Sequence, residues 1–591
     1  MNIVERIAKL RELMEKKGID FYIIPSSDYH QSEYVGEYFK CREWISGFTG
    51  SAGTVVVTAD KAGLWTDGRY FIQAARQIKD TGITLFKMGE PGVPTFYEFI
   101  AENIKEDQCV GFDGKVLGVA QVEQLKSKIK KKFKINGDYD LIGEIWTDRP
   151  KLAATKAFVL DTKYCGEDVK SKLTRIREVM EKENCDIHVL SSLDDIAWIF
   201  NLRGRDVANN PVNLAYAVIT PEKAILYIDE SKLDEDVERH LYNNWVEVRG
   251  YFEIYDDMEV ISNSEVVMME LGKVNYSIHS RLKSSVKIVD RENPSTLMKA
   301  CKNETELENL RKSHLKDAIA VVKFMYWLKK SVKDGNLTEI SASDYLEGLR
   351  KAQPLYIEPS FDTICAYGAN AAMMHYKATK ESDATLKPEG LLLVDSGGQY
   401  FDGTTDITRT FVLGPCSDEI KKHFTLTLKG MLKLSMAKFL YGCTGTNLDI
   451  LARQSLWEIG IDYKCGTGHG VGFLLNVHEG PHGLRVSYNP QKFEEGMTVT
   501  NEPGVYIEGS HGIRLENELI VHKDEKTEFG QFMKFETMTY VPLDLDGVVP
   551  ELLSPEEKKF LNDYHKMVFD KVSPHLEPEE KEWLKKYTRE I

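Results

Sequence analysis

The sequence is poor in the features that would place a chain outside the cell or in a membrane. Its nine cysteines are an odd number, widely scattered, and none stand in a Cys-x-x-Cys spacing. That argues against a disulfide framework and suits reduced thiols in a cytoplasmic protein. No apolar run approaches the roughly 20 residues needed to span a bilayer. The first stretch, MNIVERIAKLRELMEKKG, carries charge throughout, unlike the apolar core of a signal peptide. Positive charge is short as well: 76 Lys+Arg against 92 Asp+Glu leave a net charge of −16. A phosphate binder shows a basic footprint, so nucleic acid is disfavoured as a partner. The lysine-rich run 126–134, KSKIKKKFK, reads as one solvated helix face. Low-complexity sequence is absent.

What is present is a chain of 591 residues, 42% hydrophobic, long enough for about three or four domains with real cores. An internal repeat organises its front half. RELMEKKGIDFYII (11–24) lines up with REVMEKENCDIHVL (177–190), and VVVTADKAGLWTD (55–67) with AVITPEKAILYID (217–229). Each copy reads as a helix, a buried strand and a hairpin, which predicts two related α/β domains in series, 1–155 and 156–302. A repeat this long is a duplicated domain rather than a solenoid unit. At 303–306, NETE is a helix start. Leu307, Leu310, Val321, Met325 and Leu328 continue at helical spacing, so a long amphipathic helix opens a third domain, 303–591. That domain alternates helices with β hairpins and ends in a helical tail beginning at Ser554.

Acids inside its apolar strands carry the chemistry. Asp395 ends LLLV, Asp406 lies in TTDITRTFVL, Glu502 follows MTVTN and Glu516 lies in GIRLENELIV. Taken singly, each reads as a turn cap or as a partner of Arg514 or Arg409. Taken together with a histidine from the segment KCGTGHGVGFLLNVHEGPHG (464–483), they suit two divalent cations, because buried carboxylates are costly unless paired or bound to a cation. Hard oxygen donors with one imidazole favour manganese, iron, cobalt or zinc over a thiolate site. Two such metals can share a hydroxide that attacks a carbonyl.

These segments resemble the pita-bread metallopeptidases, a family that includes methionine aminopeptidase, prolidase and aminopeptidase P. The resemblance is strongest to the long, three-domain aminopeptidase P type and runs the whole chain: FTGSAG, WTDGRYF and RGRDVANNPV in front, then VDSGGQYFDGTTDITRT, GTGHGVGFLLNVHEGP, NEPGVYIEGSHGIRLEN, LNDYH and EEKEWL. It implies two creatinase-type N-terminal domains followed by a pita-bread catalytic domain. It implies that Asp395 binds one metal, that Asp406 and Glu516 bridge, and that His469 and Glu502 bind the second, with Glu502 taking the proton of the attacking water. His375 and His478 become substrate-side hydrogen-bond donors, and Tyr506 and Arg514 brace Asp395. His375 alone would read as a core histidine, and Arg514 as a surface one. His482 has no such role and reads as rim or surface. Two metals follow, manganese first with cobalt or zinc as alternatives, as do peptide substrates with proline second and a homodimer. Trp65, Asp67, Arg69 and Tyr70 would help shape the rim.

One position departs from the pattern. Cys465 stands where many long-type relatives carry a histidine, four residues before His469. It reads as a buried filler or as an altered substrate contact, and without a positioned base it is no nucleophile. A prolidase-type dipeptidase, a metal-free interaction module and a creatinase-like amidinohydrolase are the alternatives. Strict strand alternation would send His469 and His478 to opposite faces, so the glycines between them must break a strand.

Overall fold

A computed structural model describes residues 1–591. The chain divides into two compact units, Met1–Leu160 with Glu167–Ser295, and Asp161–Gly166 with Thr296–Ile591.

The first unit contains the repeat as two sheets of identical topology. The helix Ile3–Lys17 starts from a capping box at Asn2 and stops at Gly18, whose φ of 65° suits a residue without a side chain. It buries Ile7, Leu10 and Met14 against the strand that follows, and Val169–Lys182 does the same with Leu173, Ile176 and Met180. The first sheet runs, edge to edge, Thr84–Lys87, Ala62–Thr66, Thr54–Thr58, Phe21–Pro25, Cys109–Phe112, Lys134–Asn136. The second runs Val246–Arg249, Ala224–Ile228, Ala215–Ile219, Ile187–Leu190, Val266–Met269, Lys287–Asp290. In each, the three strands that begin the fold are antiparallel and the outer ones parallel. The duplication reaches single bonds. Arg11 Nε donates to the Thr58 carbonyl at 2.8 Å, and Arg177 Nε to the Thr220 carbonyl at 2.9 Å.

Two local expectations in this unit are corrected. The lysine run is solvated but is not one helix face: the helix Val119–Lys128 ends within it, and Lys134 opens a strand. Trp65 shapes no rim. It is fully buried, stacked on Phe86 with its indole N–H on the Pro94 carbonyl.

The second unit contains the predicted helix, Glu304–Ser331, capped by Asn303 and Glu306. Its apolar stripe, including Leu328 and Met325, joins a core with strands Leu391–Ser396 and Ile407–Val412 and the tail helix Pro555–Val572. A three-stranded antiparallel sheet orders Ile364–Tyr367, Leu391–Ser396, Ile407–Val412. A four-stranded one orders Lys438–Leu440, Gly530–Thr537, Asn517–Thr527, Thr498–Asn501. Two hairpins complete the frame, Gly468–Gly470 with Glu479–Leu484 and Gly504–Ile507 with His511–Arg514. No helix is long and apolar enough to cross a membrane.

Candidate metal centre

The acids expected within strands stand at strand ends. Asp395 is next to last in Leu391–Ser396, Asp406 precedes Ile407–Val412, and Glu502 follows Thr498–Asn501. Glu516 falls between His511–Arg514 and Asn517–Thr527. A mid-strand side chain is committed to one face of its sheet, whereas side chains at ends can project into a common space. Here they do. Asp395, Asp406 and Glu516 each offer an oxygen within 4.8 Å of the others, and all three residues are buried. His469 Nε2 lies 3.5 Å from Asp406 Oδ2 and 3.4 Å from Glu502 Oε1. The five side chains therefore form one connected cluster.

Backbone and threonine contacts set the cluster's geometry. Asp395 pairs in register with Thr408, whose carbonyl accepts the Glu516 N–H at 3.2 Å. Thr408 Oγ1 donates to Glu516 Oε2 at 2.7 Å. Thr500 Oγ1 accepts the His469 N–H at 3.0 Å and donates to Glu502 Oε1 at 3.2 Å. His469 Nδ1 sits 2.9 Å from the Gly470 carbonyl, which can only accept. The proton therefore belongs on Nδ1, and the lone pair of Nε2 faces the acids.

Arg514 lies against Asp395. Its Nη2 donates to Asp395 Oδ2 at 2.5 Å and to the Met374 carbonyl at 3.3 Å, and its Nη1 to the Tyr506 hydroxyl at 2.7 Å. His375, half-buried, follows Met374 and so lies in the segment that Arg514 grips. His478 meets His469 edge to face, with ring centroids 4.2 Å apart. The strand carrying His469 ends at Gly470 and its pairing slips there, so alternation does not separate the two rings. Cys465 is half-buried and packs, like Tyr506, on the cluster of Leu426, Leu456, Tyr463 and Val505.

His482 is not at the rim. It is 1% exposed and its Nε2 lies 2.7 Å from the Thr498 carbonyl. Burial lowers it to about 4. Three further residues differ from the sequence reading or lie outside it. Arg409 pairs with no acid: its guanidinium donates to the carbonyls of Thr408, Glu516, Val541 and Pro542 and to Asn517 and Tyr564. The threonines at 408 and 500 carried only one signal in sequence, their places two residues from Asp406 and Glu502.

Burial holds Asp406 and Glu516 well above the usual carboxylate range, reinforced by the neighbouring acids. Glu502 is pushed up to about 7 by burial and Asp395, against Arg514 and His478. Such crowding cannot be fully ionised without added positive charge, and Arg514 supplies only part of it. Asp395 Oδ1 and Glu516 Oε1 are buried with no hydrogen-bond partner. Buried oxygens without donors, a hard donor set and one imidazole aimed at them fit a pair of divalent cations.

The chain is similar to known proteins along its whole length. Residues 6–138 and 148–306 each match a creatinase/prolidase N-terminal domain. Residues 308–523 match metallopeptidase family M24, and 531–591 the C-terminal region of peptidase M24. A probable Xaa-Pro aminopeptidase P of Tuber melanosporum (strain Mel28) is 41% identical over 100% of both chains. One of Laccaria bicolor is 39% identical over 99% of this chain and 93% of its own. The crystal structure of an X-prolyl aminopeptidase from Caenorhabditis elegans, described as a cytosolic enzyme with a di-nuclear active site, matches with TM-score 0.95. It is 35% identical and covers 100% of each chain.

Proposed function

The chain belongs to metallopeptidase family M24, and from that premise we propose that it removes the N-terminal residue from peptides whose second residue is proline. One observation carries the reading. Three buried acids, the half-buried Glu502 and one imidazole converge with unsatisfied oxygens, in a chain aligned end to end with Xaa-Pro aminopeptidases. Asp395 would hold one divalent cation, His469 through Nε2 and Glu502 the other, with Asp406 and Glu516 shared between them. Manganese is the first choice, with cobalt or zinc as alternatives. Bound there, such a pair lowers the pKa of a water and offsets negative charge on a carbonyl oxygen.

The chain's own residues do the rest. Glu502, held by Thr500, accepts a proton at its carboxylate. His478 and His375 donate hydrogen bonds to the scissile carbonyl, where charge develops. Arg514 and Tyr506 keep Asp395 in place. The Xaa-Pro bond is a tertiary amide with no N–H to grip, so selectivity falls to a ring-shaped pocket and a held free N-terminus.

The same reading places the enzyme in the cytoplasm, supported by nine free cysteines. It also makes the enzyme a homodimer. Ile450 and Trp457 lie on one face of the helix Gly445–Trp457 and are 41% and 43% exposed, and Tyr488 nearby is 80% exposed. A prolidase-type dipeptidase is disfavoured by two full creatinase-type domains in front of the centre. A metal-free module is disfavoured by the intact cluster.

The test is hydrolysis of Arg-Pro-Pro-type tripeptides by chelated and manganese-restored enzyme. Activity should vanish with chelator and return with manganese, and tripeptides should be cut faster than Xaa-Pro dipeptides. Activity indifferent to chelation would refute the metal centre. A preference for dipeptides would favour the prolidase reading.

A further inference from the structure

The rings of His469 and His478 meet at 4.2 Å although the two residues are separated along the chain. The segment between them must leave the strand Gly468–Gly470 and come back to it. Its shape therefore decides where His478 stands against the metal ligands. The excursion is tight and largely buried: Val471, Phe473, Leu474, Leu475 and Val477 are at most 2% exposed. Leu474 takes a φ of 47°, a left-handed conformation that residues with a side chain rarely adopt. Such strain persists where surrounding contacts enforce it, and it gathers at functional sites.

The enforcing contacts come from three places. Thr498 Oγ1 donates to the Val471 carbonyl at 3.2 Å, and the Gly472 N–H closes the turn on the Asn476 carbonyl at 3.0 Å. After His478 the chain is tied again, where Glu479 pairs with Gly470. Between these ends the segment is held from another element. Gln399 Nε2 donates to the Leu475 carbonyl at 2.8 Å, next to the strained residue. A carbonyl only accepts, which fixes the amide and leaves Oε1 to Thr404, whose hydroxyl donates to it at 2.7 Å. Gln399 is fully buried. Its strand, Gly398–Tyr400, pairs with Gly403–Thr404 and is anchored beside it. The Tyr400 hydroxyl donates to Asp317 Oδ1 at 2.9 Å, and Thr405 Oγ1 to Asp317 Oδ2 at 2.8 Å. Gln399 thus ties the segment between the two histidines to the piece of chain that runs on into Asp406.

We infer that Gln399 is a positioning residue for His478: through the Leu475 carbonyl it holds segment 471–477 in the shape that sets the His478 ring beside the metal ligands. The inference rests on the role given to His478 above. It needs no charge on Gln399, only its two hydrogen bonds.

The experiment measures hydrolysis of an Arg-Pro-Pro tripeptide at saturating Mn2+ by wild type, Gln399→Met, His478→Ala and the double variant. Methionine has a similar length but neither donates nor accepts as an amide does. A misplacement of about 1 Å can cost about 100-fold, so kcat of Gln399→Met should fall about 10–100-fold. KM should stay within about threefold, because the interaction lost is one made in the transition state. The double variant should be no slower than His478→Ala alone, since residues that act as a unit are not additive. If Gln399→Met does not fold, Thr404→Val releases the amide without emptying its site; it should lower kcat in the same direction and likewise add nothing to His478→Ala. Turnover within about twofold of wild type in the folded variant, or losses that multiply in the double variant, overturn the positioning role and leave the metal centre standing. Full turnover by His478→Ala overturns the role given to His478. A wild type that does not cut the tripeptide overturns the proposed function itself.

Discussion

Arg514 joins three parts of the candidate site on one side chain. It holds Asp395 through two nitrogens, the Tyr506 hydroxyl through a third contact and the Met374 carbonyl before His375. Lysine keeps the charge but has no planar fork. Arg514→Lys should therefore weaken Mn2+ binding about 10–100-fold and lower kcat/KM with it. Metal titration alongside steady-state kinetics checks this, and an unchanged affinity would make the brace dispensable. Cys465 gives the opposite expectation. It packs on the apolar cluster that also receives Tyr506. Cys465→Ala should retain turnover within about threefold, the scale of a small packing loss. Abolished hydrolysis would put the thiol in the reaction.

At the scale of elements, the two-stranded hairpin of His469 depends on a close approach of backbones. A Cβ on Gly468 would lie 1.8 Å from the Thr500 carbonyl oxygen, and Thr500 is the residue that holds both His469 and Glu502. Gly468→Ala must push the hairpin away, at a cost of about 1–3 kcal/mol and with the imidazole displaced from the acids. Thermal unfolding should show the first effect and loss of Mn2+ binding the second; a variant with wild-type metal affinity would mean that the hairpin can yield without moving His469. The acids were legible in sequence because polar residues interrupting apolar runs are conspicuous, whereas His469 was singled out from its neighbouring histidines only by the family resemblance. The Gln399–Leu475 and Arg409–Tyr564 contacts were not legible. Their partners are 76 and 155 residues apart, and nothing local distinguishes Gln399 in SGGQYF from a solvated strand residue. Arg409 is instructive for the same reason: it was legible as a cation near acids, but its partners are backbone carbonyls, the Asn517 side chain and the hydroxyl of Tyr564 in the tail.

At the scale of the whole molecule, the duplication was readable because both copies kept helix, hairpin and even the arginine that caps a carbonyl. Which histidines lie inside was not readable, since a ring with one backbone hydrogen-bond partner satisfies burial without leaving a motif. Four such rings are buried and held neutral by desolvation: His30 and His565 are lowered to about 3, His188 and His482 to about 4. An unfolded histidine titrates near 6.5. Between about 6.5 and the lowered value the unfolded chain binds more protons than the native one, so stability rises with pH. The contribution is complete above about 6.5 and is lost as pH falls through the folded values. For His482 alone the loss is at most about 3 kcal/mol by pH 4. Glutamine at 482 can still donate to the Thr498 carbonyl but does not titrate. The unfolding temperature of wild type should therefore fall more between pH 7.5 and 5.0 than that of His482→Gln, although the variant starts lower at pH 7.5. Parallel falls in the two proteins would mean that His482 does not stay neutral in the fold.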